Sequence, residues 1–80
     1  MREIKIGNKY RHFKGHLYEV IDIVYSADSV GEDLKKVVIY QDLNNKDMKW
    51  ARDYDEFNSL VDRNKYPLVS QKYRFEEIDG

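Results

Sequence analysis

The feature that most constrains this chain is an apolar pattern with a period of two residues. Between residues 17 and 25, one parity carries Leu17, Ile21, Ile23 and Tyr25, and the other carries Tyr18, Val20 and Val24. Alternation of this kind is typical of a β-strand, whose successive side chains point to opposite faces of a sheet. Both faces of this segment are partly apolar, as expected for a strand of a small closed sheet.

The same reasoning predicts five short strands. β-branched and aromatic residues are concentrated in residues 9–13, 17–25, 34–41, 48–52 and 72–78. The Lys14-Gly15 pair predicts a tight hairpin between the first two of these segments. The asparagines at residues 44 and 45 predict a second hairpin, in which one asparagine adopts a positive φ.

One short helix is predicted near residues 53–61. Asp53 can act as its N-cap, with Glu56 three residues later, and Phe57, Leu60 and Val61 would share one face. Residues 62–70 form a polar loop in which Pro67 excludes a central strand. The prediction is therefore a single domain over residues 1–80 that is mainly β, a five-stranded SH3-like barrel with one helical segment. An OB-like barrel is the less favoured alternative.

Composition excludes several kinds of chemistry. The chain has 80 residues and no cysteine, which excludes disulfides, thiolate zinc sites, iron–sulfur clusters and a cysteine nucleophile. Its apolar runs are far shorter than the roughly 20 residues of a membrane span, and the N-terminal residues lack the apolar stretch of a secretory signal. These features predict a cytoplasmic protein that does not enter a membrane.

Charge is unevenly distributed along the chain. The net charge is −1, but residues 1–16 carry five basic side chains against Glu3 alone. A near-neutral total argues against a general nucleic-acid coat protein. The basic end indicates either an anionic ligand near the first hairpin or basic side chains that protect a strand edge from pairing.

No catalytic, metal or cofactor site is predicted. His12, His16 and Glu19 imitate a ligand set, but they straddle a tight turn and have no fourth ligand nearby. The serines lie outside any nucleophile motif, and Asp53 and Glu56 are explained by helix capping. An enzyme that acts on a small anionic substrate, with His12 as general base, is kept as a minor alternative.

Aromatic residues are the unusual component, because eleven rings are many for one small barrel. Phe57, Phe75 and Phe13 are predicted in the core. Other rings, flanked by cations, would form a half-exposed rim that binds an extended peptide or a nucleic acid. The residues predicted to form this rim are Tyr10, Arg11, His12, Lys14, Tyr18, Tyr40, Trp50 and Arg52. In the competing interpretation, Tyr40 and Trp50 cover the core and Arg52 pairs with an acidic neighbour.

Several spaced blocks of the chain resemble a known family. They are YRHFKG at residues 10–15, LYEV at 17–20, VVIY at 37–40, WAR at 50–52, Phe57, and RF at 74–75. In this order they resemble the bacterial domain-of-unknown-function family 1653. The resemblance implies a small SH3-like barrel and implies no activity and no catalytic residue. The chain departs from the usual family pattern in the loop of residues 26–36 and at Asp53, where proline often follows the WAR block.

Two functional hypotheses follow for this chain. The first is a non-catalytic cytoplasmic binding module that uses the aromatic and basic rim. The second is a structural or accessory subunit that pairs with another protein, or with itself, through an edge strand. The expected state is a monomer or a weak homodimer.

Overall fold

The computed structural model describes residues 2–78. It contains β1 (Lys9–His12), β2 (Leu17–Tyr25), β3 (Lys36–Asp42), β4 (Lys49–Asp53), the helix α1 (Tyr54–Phe57) and β5 (Phe75–Ile78). The five predicted strands and the single short helical segment are therefore confirmed, and the fold is mainly β.

The five strands form one antiparallel sheet in the order β4-β3-β2-β1-β5. β4 and β5 lie at opposite edges and do not pair within residues 2–78, so the predicted closure into a barrel is wrong in detail. One face of the open sheet is covered by other segments, because Phe57 from α1 and Ile4 from the N-terminal segment are buried together with residues of that face.

A bulge in β2 explains why both parities of this strand are apolar. The pairing with β3 shifts between Val20 and Asp22, so that Val20 lies opposite Tyr40 and Ile23 lies opposite Val38. A bulge places two residues against one on the partner strand and reverses the alternation beyond it. Val20 and Ile23 therefore face the same side of the sheet, and both contribute to the core cluster.

The core lies between this face and its covering segments. Its fully buried side chains include Val20 and Val38 from the sheet, Phe57 from α1 and Phe75 from β5. The predictions for Phe57 and Phe75 are thus confirmed. Phe13 is only half-buried, where it packs on Tyr66 with ring centroids 4.8 Å apart.

The helix begins as predicted but ends early. The Asp53 carboxylate accepts a hydrogen bond from the Glu56 amide, which is the N-cap geometry. The helix ends at Phe57 because the next residues bond elsewhere: the Ser59 carbonyl accepts from the Arg74 amide, and the Val61 amide donates to the Lys72 carbonyl. The segment predicted as the second helical turn is therefore an extended partner for the residues before β5.

The two hairpin turns differ in how they are made. Gly15 adopts a φ of 101°, which favours glycine, and its amide donates to the His12 carbonyl at 2.8 Å. The second turn contains no positive-φ asparagine, so that prediction is wrong. There the Asp42 carboxylate accepts from the Asn44 amide at 2.7 Å, and this side-chain bond makes the turn without left-handed backbone.

No helix within residues 2–78 has the length and apolar character needed to span a bilayer.

Candidate functional site

Strand register brings several of the predicted rim residues to one face of the sheet. Tyr40 lies opposite Trp50, Val38 lies opposite Arg52, and His12 lies opposite Phe75. Directly opposed residues of antiparallel strands share a face. We call the partly exposed part of this face the aromatic-basic site, and it consists of His12, Tyr18, Trp50 and Arg52.

The rings of this site are held by edge and stacking contacts. The Tyr18 ring meets Trp50 at 5.5 Å and Tyr40 at 5.1 Å, both nearly perpendicular. The Trp50 indole lies at 22° to the Tyr40 ring, with centroids 6.1 Å apart. Such contacts stabilise ring orientation beyond simple burial. Because Tyr40 is 4% exposed and Trp50 is 36% exposed, a buried ring supports a ring that solvent can reach.

Arg52 is fixed beside these rings. Its Nε donates to the Tyr40 hydroxyl at 3.3 Å, and its Nη1 pairs with the Glu56 carboxylate in the first turn of α1. Burial alone would lower the pKa of Arg52, but the bonds to Tyr40 and Glu56 raise it above its ordinary value. The guanidinium also lies 6.0 Å from the Phe75 ring centroid. Arg52 therefore remains a cation, and Glu56 partly neutralises it.

His12 is the second fixed polar group of the site. Its ring stacks on Phe13 at 4.4 Å and meets the edge of Phe75 at 5.0 Å. The Lys14 amide donates to Nδ1 at 3.0 Å, which assigns the ring proton to Nε2. Burial, followed by the positive charges of Arg74, Arg52 and Lys14, lowers the pKa of His12 to about 4. His12 is therefore a neutral hydrogen-bond donor at neutral pH.

The groups that lower the pKa of His12 also show that its surroundings are positively charged. The groups that lower its pKa electrostatically belong to the β1–β2 hairpin, to β4 and to the segment before β5, and all are cationic or potentially cationic: Arg74, Arg52, Lys14 and His16. A neutral imidazole thus lies in a locally positive environment on a protein whose total charge is −1. This environment favours an anionic group near the imidazole.

A groove of about 560 Å³ opens beside His12. The hairpin residues Arg11 and Phe13 form one wall, and the loop of residues 68–71 forms the other. Leu68 in this loop is 96% exposed. Its lining also includes Glu76, which pairs with Arg11, and it does not include Tyr18, Trp50 or Arg52. The groove therefore lies on the Arg11 side of β1, and His12 is the member of the aromatic-basic site that borders it.

The remaining predicted rim residues lie elsewhere. Tyr10 is 2% exposed and packs against Phe57 in the core, with its hydroxyl accepting from the Lys5 amide. Arg11 lies on the other face of β1, where its Nε donates to Gln71 at 3.2 Å. Lys14 is exposed in the hairpin turn, with its ammonium 5.6 Å from the Tyr66 ring. Tyr40 is buried beneath Trp50, as the competing interpretation expected for this ring.

Three contributors were not among the predicted rim residues. Glu56 is the acidic neighbour of Arg52, and the four-residue spacing between the two was visible in the sequence. Phe75 was predicted as core, but it also forms the floor between His12 and Arg52. Arg74 influences His12 only because β5 pairs with β1, which no local pattern indicates.

The histidines of the β1–β2 hairpin do not form a metal site. Within residues 2–78, no three side chains of His, Asp or Glu are grouped as metal ligands. His12 and His16 are on one hairpin, but Nδ1 of His12 is occupied by the Lys14 amide. The arrangement as a whole is suited to holding a ligand by ring stacking and by hydrogen bonds to an anion.

Comparison with known proteins identifies a family. A family model described as "Protein of unknown function (DUF1653)" matches residues 8–77, which include every member of the aromatic-basic site. No curated protein and no solved structure matches the chain.

Proposed function

The chain belongs to the DUF1653 family of proteins of unknown function, and we propose that it is a non-catalytic binding module that holds a short segment of single-stranded nucleic acid at the aromatic-basic site. A base would stack on Trp50, and the neighbouring phosphates would meet the cations around His12. Single-stranded nucleic acids are commonly bound by this combination of rings and basic side chains.

The observation that carries this proposal is the presentation of Trp50. Its indole is 36% exposed although Tyr40 and Tyr18 hold it from two sides. A large apolar ring that is fixed in orientation and open to solvent can stack on a base with little loss of side-chain entropy. Stacking of one base on such a ring contributes roughly 1 to 3 kcal/mol.

The cations near His12 are the second observation that supports the nucleic-acid proposal. Lys14 and Arg74 are not paired with a carboxylate in any salt bridge found within residues 2–78, whereas Arg52 pairs with Glu56. A phosphate near His12 could accept from Nε2–H and from these cations. Because the remainder of the protein is acidic, contact would be confined to a short segment and would not extend along a long strand.

A peptide is the alternative ligand. Grooves lined with tyrosine and tryptophan also bind extended proline-rich peptides. The locally positive surroundings of His12 favour the phosphate-bearing ligand over an uncharged peptide. A proline-rich peptide therefore belongs in the experiment as a competing probe.

The lowered pKa of His12 argues against its acting as a general base. A general base works best when its pKa lies near the working pH. With a pKa of about 4, His12 is a weak base at neutral pH. A cytoplasmic location in bacteria stays a prediction from the sequence.

The test is a titration of the ¹⁵N-labelled protein with a short mixed-sequence RNA, followed by amide NMR and by fluorescence. Because Trp50 is the only tryptophan, quenching of tryptophan emission reports this ring directly. We expect quenching together with shifts of the Trp50 indole N–H and of the amides of Lys14 and Gly15. Raising the salt concentration should weaken binding, since phosphate contacts release counterions.

Variants separate the site from general effects. Trp50→Ala should lower RNA affinity about tenfold or more while the amide spectrum stays dispersed. Tyr25→Ala is the matched control, because Tyr25 is a 60% exposed ring at the far end of β2. Lys14→Gln should reduce the salt dependence, and Lys35→Gln, in the distant loop, should not. The nucleic-acid proposal would be refuted if RNA caused no shift at this site. It would also be refuted if only the proline-rich peptide caused shifts there.

A further inference from the structure

The backbone of β4 has one unpaired side. The Asp42 amide donates to the Met48 carbonyl at 3.1 Å, which fixes the hydrogen-bonding phase of the β3–β4 ladder. Hydrogen-bonded and non-hydrogen-bonded pairs alternate in an antiparallel ladder. Trp50 and Arg52 therefore bond to β3, while the backbone groups of Lys49 and Ala51, and the Asp53 amide, point away from the sheet.

The opposite edge of the sheet is partly covered. The Arg2 guanidinium donates to the Phe75 carbonyl in β5, and the Asn8 side chain bonds to the Glu77 side chain. Residues 59–61 pair with residues 72–74 just before β5. No such cover lies along β4 among residues 2–78, since β3 is the only strand found to pair with it. β4 is thus the edge of the described sheet that is open to pairing.

The residues of β4 on the two sides of Ala51 complement each other, because Lys49 is basic where Asp53 is acidic, and Trp50 is aromatic where Arg52 is a cation. We propose that two copies of this chain pair antiparallel through β4, with Ala51 opposite Ala51 of the partner subunit. In this register Lys49 faces the partner subunit's Asp53, and Trp50 faces the partner subunit's Arg52. Each of these contacts occurs twice, because a two-fold interface uses the same patch on both subunits.

The backbone fits this register. Ala51 exchanges both of its hydrogen bonds with Ala51 of the partner subunit, and the Asp53 amide of each copy donates to the partner subunit's Lys49 carbonyl. The Asp53 carbonyl takes no part, because it begins the hydrogen bonding of α1 as its N-cap. The small, exposed Ala51 at the axis allows the two strands to approach without a clash.

The side chains supply charge complementarity. Opposed residues on one face of an antiparallel pair have Cβ atoms about 5 Å apart, so Lys49 and the partner subunit's Asp53 lie within reach of an ion pair. Trp50 and the partner subunit's Arg52 form the closer, non-hydrogen-bonded pair, where a guanidinium can contact an indole. A parallel pairing or a shift by one residue would lose these matches.

This pairing does not require the proposed nucleic-acid function, although Trp50 and Arg52 take part in both. A two-fold axis perpendicular to the sheet keeps the core-facing sides of both sheets on the same side of the dimer. Two aromatic-basic sites would then lie side by side on one continuous sheet. RNA binding by a monomer, or dimerisation without RNA binding, would separate the two proposals.

The first experiment measures mass against concentration by sedimentation equilibrium on the full chain. We expect the mass to rise from 9.7 kDa towards twice that value as the concentration increases. Amide hydrogen exchange under the same conditions gives the location of the contact. The amides of Ala51 and Asp53 should exchange about tenfold more slowly at high than at low concentration, while those of Trp50 and Arg52 stay unchanged.

Two variants complete the test. Ala51→Pro removes the central donor at an edge position that tolerates proline, and it should remain monomeric with a dispersed amide spectrum. If it misfolds, Lys49→Glu serves instead and should weaken association about tenfold, because like charges would then oppose each other. Lys35→Glu makes the same charge change away from β4 and should have no effect.

A monomer at all concentrations up to about 1 mM would overturn the proposal. A dimer in which the Ala51 amide exchanges as fast as in the monomer would also overturn it, since the contact would lie elsewhere.

Discussion

The rings of Phe57 and Phe75 stack at a centroid distance of 4.0 Å and an angle of 7°, and both are fully buried. This contact joins α1 to β5, which are separated in the chain by residues 58–74. Tyr40 meets both rings from the side, at 5.3 Å and 5.4 Å. The stacked pair therefore lies at the centre of the core and beneath the aromatic-basic site.

Truncation of this pair should strongly destabilise the protein. We expect Phe57→Ala to lower the free energy of unfolding by about 3 to 5 kcal/mol, because it removes buried ring surface and leaves a cavity. Phe57→Leu should have a smaller effect. Urea denaturation followed by circular dichroism measures both. Leu68→Ala is the control, since this 96% exposed side chain should change stability by less than about 0.5 kcal/mol. Equal effects of the two alanine variants would contradict the stacked core.

The N-cap of α1 should contribute measurably to stability. Asp53→Ala removes the acceptor of the Glu56 amide and should lower the free energy of unfolding by about 1 kcal/mol. Asp53→Asn retains an acceptor and should be close to the native protein. Urea denaturation of the three proteins checks the order. A loss as large in Asp53→Asn as in Asp53→Ala would show that charge, and not capping, is the cause.

Arg2 should hold the N-terminal segment onto the sheet. Its guanidinium bonds to Asn58 and to the Phe75 carbonyl, and it lies 3.9 Å from the Tyr73 ring centroid. Arg2→Ala should lower the free energy of unfolding by about 1 to 2 kcal/mol. Arg2→Lys should restore little of this loss, because lysine lacks the planar fork of donors. Thermal unfolding checks both, with the exposed Lys5→Ala as control. Full restoration by lysine would contradict the specific geometry.

His12 should make stability depend on pH. Its pKa is about 4 in the folded protein and about 6.5 in an unfolded chain, so the unfolded state takes up the proton first as the pH falls. The stability is fully present above about pH 6.5 and is lost progressively towards about pH 4. Allowing for partial exposure, the loss is about 1 to 2 kcal/mol.

The control for this prediction is a comparison of variants. His12→Asn keeps an acceptor for the Lys14 amide but does not titrate, so its stability should fall less between pH 7 and pH 4. His16→Asn changes the exposed histidine of the same hairpin and should follow the native profile. Urea midpoints across this pH range measure the difference. Identical profiles for the native protein and His12→Asn would refute the role of His12.

The aromatic-basic site was only partly predictable. The sequence identified Trp50, Tyr18, His12 and Arg52 as rings and cations of a rim, but it did not distinguish them from Tyr10. Tyr10 is buried because Phe57 packs against it, and that contact joins residues 47 positions apart. Exposure depends on which segments cover a face, and the alternation along a single strand carries no information about the covering segment.

Local features of the sequence determined the strands, the first hairpin and the start of the helix. Alternating and β-branched residues favour an extended backbone, Gly15 permits the turn, and Asp53 caps the helix through a neighbour three residues away. Each of these effects acts between residues close in the chain, so it can be recognised without the fold.

Tertiary structure alone decided where the helix ends, whether the sheet closes and which rings are exposed. The helix ends at Phe57 because residues 59–61 pair with residues 72–74. The sheet stays open because its edge strands, β4 and β5, do not pair with each other within residues 2–78. The bulge between Val20 and Asp22 directs Ile23 to the core only in the context of β3. These outcomes depend on contacts between distant segments, whose energies exceed the weak local preferences of the residues involved.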